Sequence, residues 1–420
     1  MKMQKNLDYL KNTQFIFIAS KLLNSPLGAM YNLLSFIICK QLGATPFQIT
    51  LLISSKPLVA LISFYSSVFI KNRPERLKSL IISSTILSFI PCFAFPFVTN
   101  CWFFIFAFAL FMMSAKAMLP AWAEIFKRNI GPEGRSAIFS KGSTVNYLAN
   151  IFVPLLLAPI LDYYPLIWTE IFFILALIQL AHVVFLLRLK VRLEEHESSS
   201  FAPNSFSFRS VIFDPWKNSW QLMKQRPDFR NYQIVFLLGG TGLILSQPVL
   251  PLFFEQILHL SYTQLIFAVS LCKGIGFAIT SPLWANAFNR ISINLFNFFV
   301  TALAGLFAIV LATIQQEVLW LYLAYLIYGI MQAGSEMSWH LAGPRFAKQE
   351  DSTLYTSVNI AMIGLRGCIA PFIGELLFCT TNFSVVFFCS AGCCLAGAFY
   401  SYWLEFQDRK ADNLTFSAVE

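Results

Sequence analysis

Seven charged side chains interrupt stretches of this sequence that are otherwise apolar. Lys56 and Lys273 lie near the middle of two such stretches, one in each half of the chain. A charge at the centre of a membrane costs roughly 2.5–3.5 kcal/mol on insertion scales, so such groups face protein or water and mark functional paths. Five cations against two acids would attract anions. The seven are Lys21, Lys56, Lys116, Lys273, Arg366, Glu336 and Glu375.

No spacing typical of an enzyme or of a metal site accompanies these charges. The nine Cys and four His residues do not combine into ligand sets, and no nucleotide-binding, nucleophile-elbow or zinc-protease motif occurs. We therefore expect no enzymatic activity, no cofactor and no metal. Without an ATP site, any uphill movement of a solute has to draw on an ion or solute gradient.

The elements that position these charges must be membrane-spanning helices. Hydrophobic residues make up 57% of the chain and charged residues 12%, against about 25% charge in a soluble domain. Apolar stretches of the length that crosses ~30 Å of hydrocarbon recur along the whole sequence. The twelve predicted spans are 14–39, 47–70, 79–99, 102–124, 142–161, 168–188, 231–254, 264–288, 295–314, 318–341, 354–378 and 384–404.

The basic residues indicate the orientation of these spans. With both termini in the cytoplasm, 24 of the 30 Lys and Arg residues fall in inner segments, and only Lys40 falls in an outer loop. This asymmetry follows the positive-inside rule. The net charge of +9 is therefore a membrane signature, and we expect no nucleic-acid partner.

The second half of the chain repeats the first at one constant spacing, which predicts two pseudo-symmetric six-helix bundles. The matched positions are Lys56 and Lys273, Asn72-Arg73 and Asn289-Arg290, Trp122 and Trp339, and Pro154 and Pro371. The predicted domains are an N-terminal bundle (1–188), a cytoplasmic linker (189–230), a C-terminal bundle (231–405) and a tail (406–420).

Within the linker, one segment is predicted to form an amphipathic helix. Asp214 resembles an N-cap with Pro215 in the first turn, and Trp216, Trp220 and Met223 follow at helical spacing. With basic residues beside them, this helix is expected to lie flat on the inner leaflet of the bilayer. An ordinary polar linker is the alternative.

The loop after the second span resembles the cytoplasmic signature Gly-x-x-x-Asp-Arg-x-Gly-Arg-Arg of the major facilitator superfamily. Asn72 stands at the Asp position, Arg73 at the Arg, and Arg76 and Lys78 among the trailing bases. The two Gly positions hold Val68 and Glu75, so the match is partial. Segments 42–48 and 132–135 are similar to further loops of the family, and Asn289-Arg290 is a weaker second copy of the signature.

This resemblance implies an all-α fold of twelve transmembrane helices whose two halves rock around a central site. It also implies an inner gate, formed by Asn72, Arg73, Arg76 and Glu124, with Asn289 and Arg290 as the second copy. Arg73 or Arg76 would pair with Glu124; the alternative is that these bases only anchor the inner surface. Spans one, four, seven and ten of the family line the central cavity, with two, five, eight and eleven beside them. The expected substrate-binding residues are Lys21, Lys56, Lys116, Lys273, Glu336 and Arg366.

We therefore predict a monomeric secondary transporter of a small organic anion, coupled to protons or to anion exchange, in a bacterial inner membrane. One alternative is a proton-coupled porter of neutral or cationic compounds, with Glu336 as the proton site. A second is a non-transporting membrane sensor on the same scaffold, with segment 189–230 as its output surface.

Overall fold

The computed structural model describes residues 2–70, 74–130, 132–192, 208–314, 317–347 and 352–417. Within these ranges all regular structure is helical, and no strand occurs. The α-helices of the described ranges are α1 (Lys2–Leu42), α2 (Pro46–Ile70), α3 (Leu77–Phe89), α4 (Cys101–Asn129), α5 (Pro132–Tyr163), α6 (Trp168–Leu187), α7 (Phe208–Gln225), α8 (Pro227–Ser246), α9 (Leu250–Gln256), α10 (Tyr262–Ile266), α11 (Lys273–Arg290), α12 (Ile293–Thr313), α13 (Val318–Ala347), α14 (Ser352–Thr380) and α15 (Phe383–Ser417).

The predicted membrane spans coincide with these helices. Eleven helical segments of the described residues are long and apolar enough to cross a membrane. The remaining predicted span, 47–70, falls on α2, which has 25 residues and is therefore roughly 37 Å long at ~1.5 Å per residue. The all-helical membrane fold predicted from the sequence is confirmed.

The chain forms two compact units, Met1–Phe206 and Ser207–Glu420. In the first unit α1 packs against α4, α5 and α6, and α2 packs against α4. In the second unit α8 packs against α12, α14 and α15, and α11 packs against α13. Because lipid is as apolar as the side chains, close packing and not water exclusion holds such bundles together, and aromatic pairs contribute to it. In the first unit the Tyr31 ring lies 4.3 Å from Phe111 and 5.0 Å from Phe172, centroid to centroid.

Two predicted spans are interrupted where prolines occur. Span 79–99 is α-helical only to Phe89 and continues as a 3₁₀ helix over Ile90–Phe97, which contains Pro91 and Pro96. A proline has no backbone N–H and therefore removes a hydrogen bond from the α-helical ladder. Span 231–254 divides into α8 and α9, with a break after Ser246.

The predicted N-cap of the linker helix is wrong. Helix α7 begins at Phe208, so Asp214 and Pro215 lie inside it and do not start it. The residues that precede Asp214 include Phe208, Val211 and Ile212, and they extend the amphipathic pattern upstream of the cap-like pair. The predicted tail 406–420 is also helical over most of its length, because α15 runs to Ser417.

The loops that precede α2 and α10 have the same local structure. One residue in each loop adopts a left-handed backbone conformation, and two positions later a hydroxyl side chain begins the next helix. A glutamine three positions further on accepts, through its side-chain oxygen, a hydrogen bond from the backbone N–H of that capping residue. The residues are Gly43 (φ +59°), Thr45 and Gln48 in the first unit, and His259 (φ +46°), Ser261 and Gln264 in the second.

The spacing between these matched loop positions is shorter, by a single position, than the spacing between Lys56 and Lys273. The extra residue falls where the second unit has a π-helix, Phe267–Cys272, while α2 of the first unit is an unbroken α-helix. A π-helix accommodates one additional residue in a turn, and such turns are frequent at functional sites. The π-helix therefore lets Lys273 keep the angular position, relative to its helix cap, that Lys56 has in the first unit.

Candidate functional site

A strip of polar side chains runs along three helices of the first unit. The Lys56 ammonium donates to Asn32 Oδ1 at 3.3 Å, and Asn32 Nδ2 lies 3.4 Å from Asn150 Oδ1. Asn150 donates to the Asn146 carbonyl at 2.7 Å, and the Ser25 hydroxyl donates to Asn146 Oδ1 at 2.9 Å. Asn32 and Lys56 are exposed although they lie deep within their helices. Polar groups at this depth face water or protein, so the strip marks the water-facing side of the unit.

The other two predicted cations of the first unit differ in their placement. Lys21 lies one turn before Ser25 on α1, and its ammonium sits 5.4 Å from the centroid of the Phe17 ring. The Ser25 hydroxyl oxygen also lies beside the Lys21 carbonyl, which is an alternative acceptor for its single hydrogen. Lys21 is thus on the same face of α1 as the strip, whereas Lys116 is half-buried on α4. The asparagines of the strip were missed by sequence reasoning. The pattern that could have indicated two of them is a pair of amide side chains, Asn146 and Asn150, one helical turn apart in an apolar span.

Arg366 occupies the midpoint of α14, equally far from Ser352 and from Thr380. Its guanidinium donates from Nη1 to the Phe236 carbonyl at 2.7 Å and lies 4.4 Å from the centroid of the Phe236 ring. Its Nε is buried and has no hydrogen-bond partner among the described residues. A Cβ added at Gly240 would collide with the guanidinium, so glycine at that position lets the charged group lie against α8.

Buried polar side chains on α8, α12, α13 and α14 form hydrogen-bonded groups, and one of them, Tyr232, interacts with this arginine. The Tyr232 hydroxyl donates to the Ser338 carbonyl at 3.2 Å, and the Ser338 hydroxyl donates to Asn297 Oδ1 at 2.8 Å. The Gln233 amide donates to Asn359 Oδ1, whereas Gln233 Oε1 is buried without a partner in the described structure. The second unit therefore offers an unused donor on Arg366 and an unused acceptor on Gln233.

Lys273 and Glu336 form the second charged group of this unit. Lys273 is the first residue of α11, and its charge interacts with the Glu336 carboxylate on α13. Gln332 donates to Glu336 Oε1 at 3.0 Å. The two helices touch through their backbones, because Gly329 leaves no room for a Cβ beside the Lys273 carbonyl. Lys273 thus interacts with an acidic side chain, whereas no such interaction is found for Arg366 among the described residues.

The gate residues that the structure describes lie at helix ends predicted to face the cytoplasm. Glu124 accepts a hydrogen bond from Arg128 at 2.8 Å and lies 4.0 Å from the Lys127 ammonium, both on its own helix. Arg76 is exposed, and Asn72 and Arg73 lie outside the described residues. A pair between Glu124 and Arg73 or Arg76 stays a prediction.

The second copy of the signature is held by a residue that sequence reasoning missed. Asn289 and Arg290 are exposed at the end of α11, and Asn289 donates only to the Ala285 carbonyl of its own helix in the described structure. Arg345 of α13 donates to the carbonyls of Phe288 and Ile291, at 2.8 and 2.9 Å. A cation at these terminal carbonyls also complements the helix dipole. Its sequence signal is that Arg345 follows Arg128 at the same spacing as Lys273 follows Lys56.

Two asparagines bind the segment that leaves the first unit after α6. Asn12 donates to the Arg188 carbonyl at 3.1 Å and accepts from the Lys190 amide at 2.9 Å. Asn129 donates to the Lys190 carbonyl and to the Thr13 hydroxyl, and accepts from the Arg192 amide at 3.0 Å. The Asp8 carboxylate, 2.8 Å away, raises the pKa of the Lys190 ammonium above its ordinary value. The start of the linker is therefore fixed to the first unit, beside the end of α4.

Replacing Asn129 with alanine is expected to loosen this segment. The substitution removes three hydrogen bonds and leaves the Lys190 carbonyl and the Arg192 amide without their partner, at a cost of about 1–3 kcal/mol. Limited proteolysis should then cut the linker faster, and the midpoint of thermal unfolding should fall. Asn289→Ala is the matched control and should change neither. Equal proteolysis rates for Asn129→Ala and wild type would contradict the clamp.

Comparisons with known proteins agree with the helical architecture. The sequence model of the Major Facilitator Superfamily matches residues 18–371. Among solved structures, the chain is similar to the nucleoside transporter NupG (15% identity, 93% of this chain and 98% of that chain, TM-score 0.68). It is also similar to a POT family transporter in complex with 5-aminolevulinic acid (14%, 95% and 96%, 0.70) and to the peptide transporter POT in complex with sulfate (14%, 94% and 94%, 0.69). No curated protein sequence matches this chain.

Proposed function

The chain belongs to the Major Facilitator Superfamily and is a membrane transporter, and we propose that its substrate is a small organic anion. We further propose that it works by alternating access of the two units, driven by protons or by exchange against a second anion. Both termini are proposed to lie in the cytoplasm of a bacterial cell, with the protein acting as a monomer in the inner membrane.

The observation that carries the proposal is that the Arg366 guanidinium is only partly hydrogen-bonded. A guanidinium at the centre of a membrane-spanning helix is normally satisfied by a carboxylate. In the described structure it has one carbonyl and one aromatic ring, while Nε donates to nothing. A carboxylate or phosphate on the substrate would accept two parallel hydrogen bonds from the planar guanidinium. A neutral substrate would leave its positive charge without a counter-ion.

Other polar groups, within each unit taken by itself, support a substrate that also carries hydrogen-bonding groups. The buried Gln233 Oε1 can accept from a hydroxyl or an amine of the ligand. In the first unit the strip from Lys56 through Asn32 to Asn146 supplies an ammonium and several amides on a water-facing surface. We therefore favour hydroxy or amino acids and sugar acids over simple inorganic anions.

A ligand screen on purified protein tests the substrate class. Carboxylates and phosphate esters should raise the midpoint of thermal unfolding, because a ligand that binds the folded state stabilises it. Amides and alcohols of the same shape should not. Lys56→Gln and Lys273→Gln should each weaken the binding of the anion about tenfold, roughly 1.4 kcal/mol. Their double variant should reach the membrane but lose transport.

Glu336→Gln separates this proposal from its rival. In a proton-coupled porter of neutral or cationic compounds, with Glu336 as the proton site, this change would abolish accumulation while Lys273→Gln stays tolerated. For an anion transporter we expect the opposite, with Lys273→Gln damaging and Glu336→Gln tolerated. Glu336 interacts with Lys273, so removal of its carboxylate makes the Lys273 charge available to the anionic substrate. Stabilisation only by neutral or cationic compounds would overturn the anion proposal. Binding without flux in proteoliposomes would instead favour a sensor.

A further inference from the structure

Helix α7 presents two different faces. Ser219 and Leu222 are 5% and 8% exposed, and Leu222 packs with Phe229 and Phe346 of the second unit. Arg226, just after α7, fixes its end: it pairs with Asp228 at 2.9 Å and donates to the Phe346 carbonyl at 3.2 Å. The helix is therefore held to the unit by one face, and its opposite face is directed outward.

The outward face combines a tryptophan pair with lysines. Trp216 and Trp220 are 43% and 60% exposed and lie one turn apart. Lys217 and Lys224 are exposed beside them, and the Lys224 ammonium sits 5.6 Å from the centroid of the Trp220 ring. At about 100° per residue these four side chains cover about 100° of the helix surface, so they form one continuous stripe. We call it the Trp–Lys stripe.

The position of the helix identifies what this stripe meets. Helix α7 packs where α8 and α14 begin and where α13 ends, which is the end of the second unit predicted to face the cytoplasm. It is not among the helices of the described residues that are apolar enough to cross a membrane. Tryptophan rings favour the boundary between acyl chains and headgroups, and lysines beside them are attracted to the anionic lipids of the inner leaflet.

We propose that the Trp–Lys stripe of α7 is a binding surface for anionic phospholipid headgroups. Both tryptophans would enter the headgroup boundary, while Lys217 and Lys224 would contact phosphates. Each lysine near an anionic surface would enrich anionic lipid roughly fivefold. This surface is independent of the transported substrate, so the anion proposal can fail while this one stands.

Fluorescence quenching by brominated lipids tests the proposal on the full chain. The protein is reconstituted into phosphatidylcholine nanodiscs with a minority of phosphatidylglycerol, and bromine is carried on the acyl chains of either lipid. We expect brominated phosphatidylglycerol to quench wild type about twofold more, per mole, than brominated phosphatidylcholine. The double substitution Trp216→Phe with Trp220→Phe should abolish that difference. Trp320→Phe removes a tryptophan of similar exposure from the start of α13 and should preserve it.

The lysines have a separate readout. In the double variant Lys217→Gln with Lys224→Gln, quenching by both lipids should become equal, while quenching by phosphatidylcholine alone stays as in wild type, because the tryptophans remain inserted. High salt should also reduce the preference of wild type, since ionic screening weakens attraction at the surface. Equal quenching of wild type by the two lipids would overturn the proposal, as would a preference that survives loss of both lysines.

Discussion

Replacing Arg366 with methionine is expected to abolish anion binding and, at the same time, to stabilise the ligand-free protein. The guanidinium lies at the middle of α14 with its Nε unsatisfied, so the empty protein bears the cost of a buried charge. Methionine has a similar length and no charge, and replacing buried ionic groups by apolar ones of similar volume often stabilises by about 1–4 kcal/mol. Loss of a buried charge-assisted contact to the substrate should cost about 2–5 kcal/mol of binding energy.

The two effects are measured on the same samples. Thermal unfolding without ligand should shift upward in Arg366→Met, whereas the ligand-induced shift that wild type shows with an anion should disappear. The affinity should fall at least about thirtyfold, the equivalent of ~2 kcal/mol. Arg290→Met is the matched control, because this arginine is exposed at the end of α11 and should alter neither quantity. A structural role for Arg366 predicts the opposite result, namely lower stability of the empty protein.

Arg366→Lys separates charge from shape. A lysine keeps one positive charge but loses the planar pair of donors that fits a carboxylate. We therefore expect this variant to keep selectivity for anions with an affinity between those of wild type and Arg366→Met. The intermediate value follows from the geometry, because an ammonium on the same helix position can satisfy the charge of the ligand but not both of its oxygens.

Much of the fold could be predicted because it depends on composition and length. A chain with so few charges has to place its apolar stretches in lipid, and each predicted span coincides with one helix or with up to three consecutive helical segments. The charges inside the spans could be predicted as site residues just as directly, because a lysine or an arginine within a membrane span is costly and therefore indicates a functional site. Arg366 and Lys273 were therefore among the predicted site residues before any contact was known.

The register of the repeat could be predicted only in part. The spacing that relates Lys56 to Lys273 also fitted Trp122 and Pro154, whereas the capping residues Thr45 and Ser261 lie closer together by a single position. The difference depends on the π-helix Phe267–Cys272, whose formation is decided by packing and not by a residue pattern. The wrong cap at Asp214 has a related cause. An Asp-Pro pair favours a helix start locally, but the longer amphipathic surface of α7 overrides it.

The partners of the predicted charges were the least accessible to sequence reasoning. Asn32 and Asn150 sit on different helices, and nothing local indicates that they meet near Lys56. The same holds for Gln233 and Asn359, which are 126 positions apart. Such pairs are set by how helices pack, and packing follows from small residues at the contacts. Glycine positions are therefore where the arrangement of the site is most easily disturbed.

Gly329→Ala is expected to disrupt the packing of α11 against α13 in the second unit. A Cβ at this position would overlap the Lys273 carbonyl oxygen and lie 2.9 Å from its carbon and 3.0 Å from the Lys273 Cα. These are backbone atoms, so relief requires α11 and α13 to separate. Close approach through small residues is what holds membrane helices together. We expect a loss of stability of about 1–3 kcal/mol, as in other overpacked sites.

The same change should weaken the anion site, since separation of the two helices displaces Lys273, the first residue of α11, from the position in which it would contact the substrate. Gly392→Ala is the matched control: it also adds one methyl group to a helical glycine, but no atom lies within 4 Å of its Cβ. There alanine should raise stability by up to ~1 kcal/mol, because it is the better helix former. Thermal unfolding of the two variants should therefore shift in opposite directions. If both stabilise the protein, the contact between α11 and α13 is looser than the structure has it, and Lys273 is not held in place by Gly329.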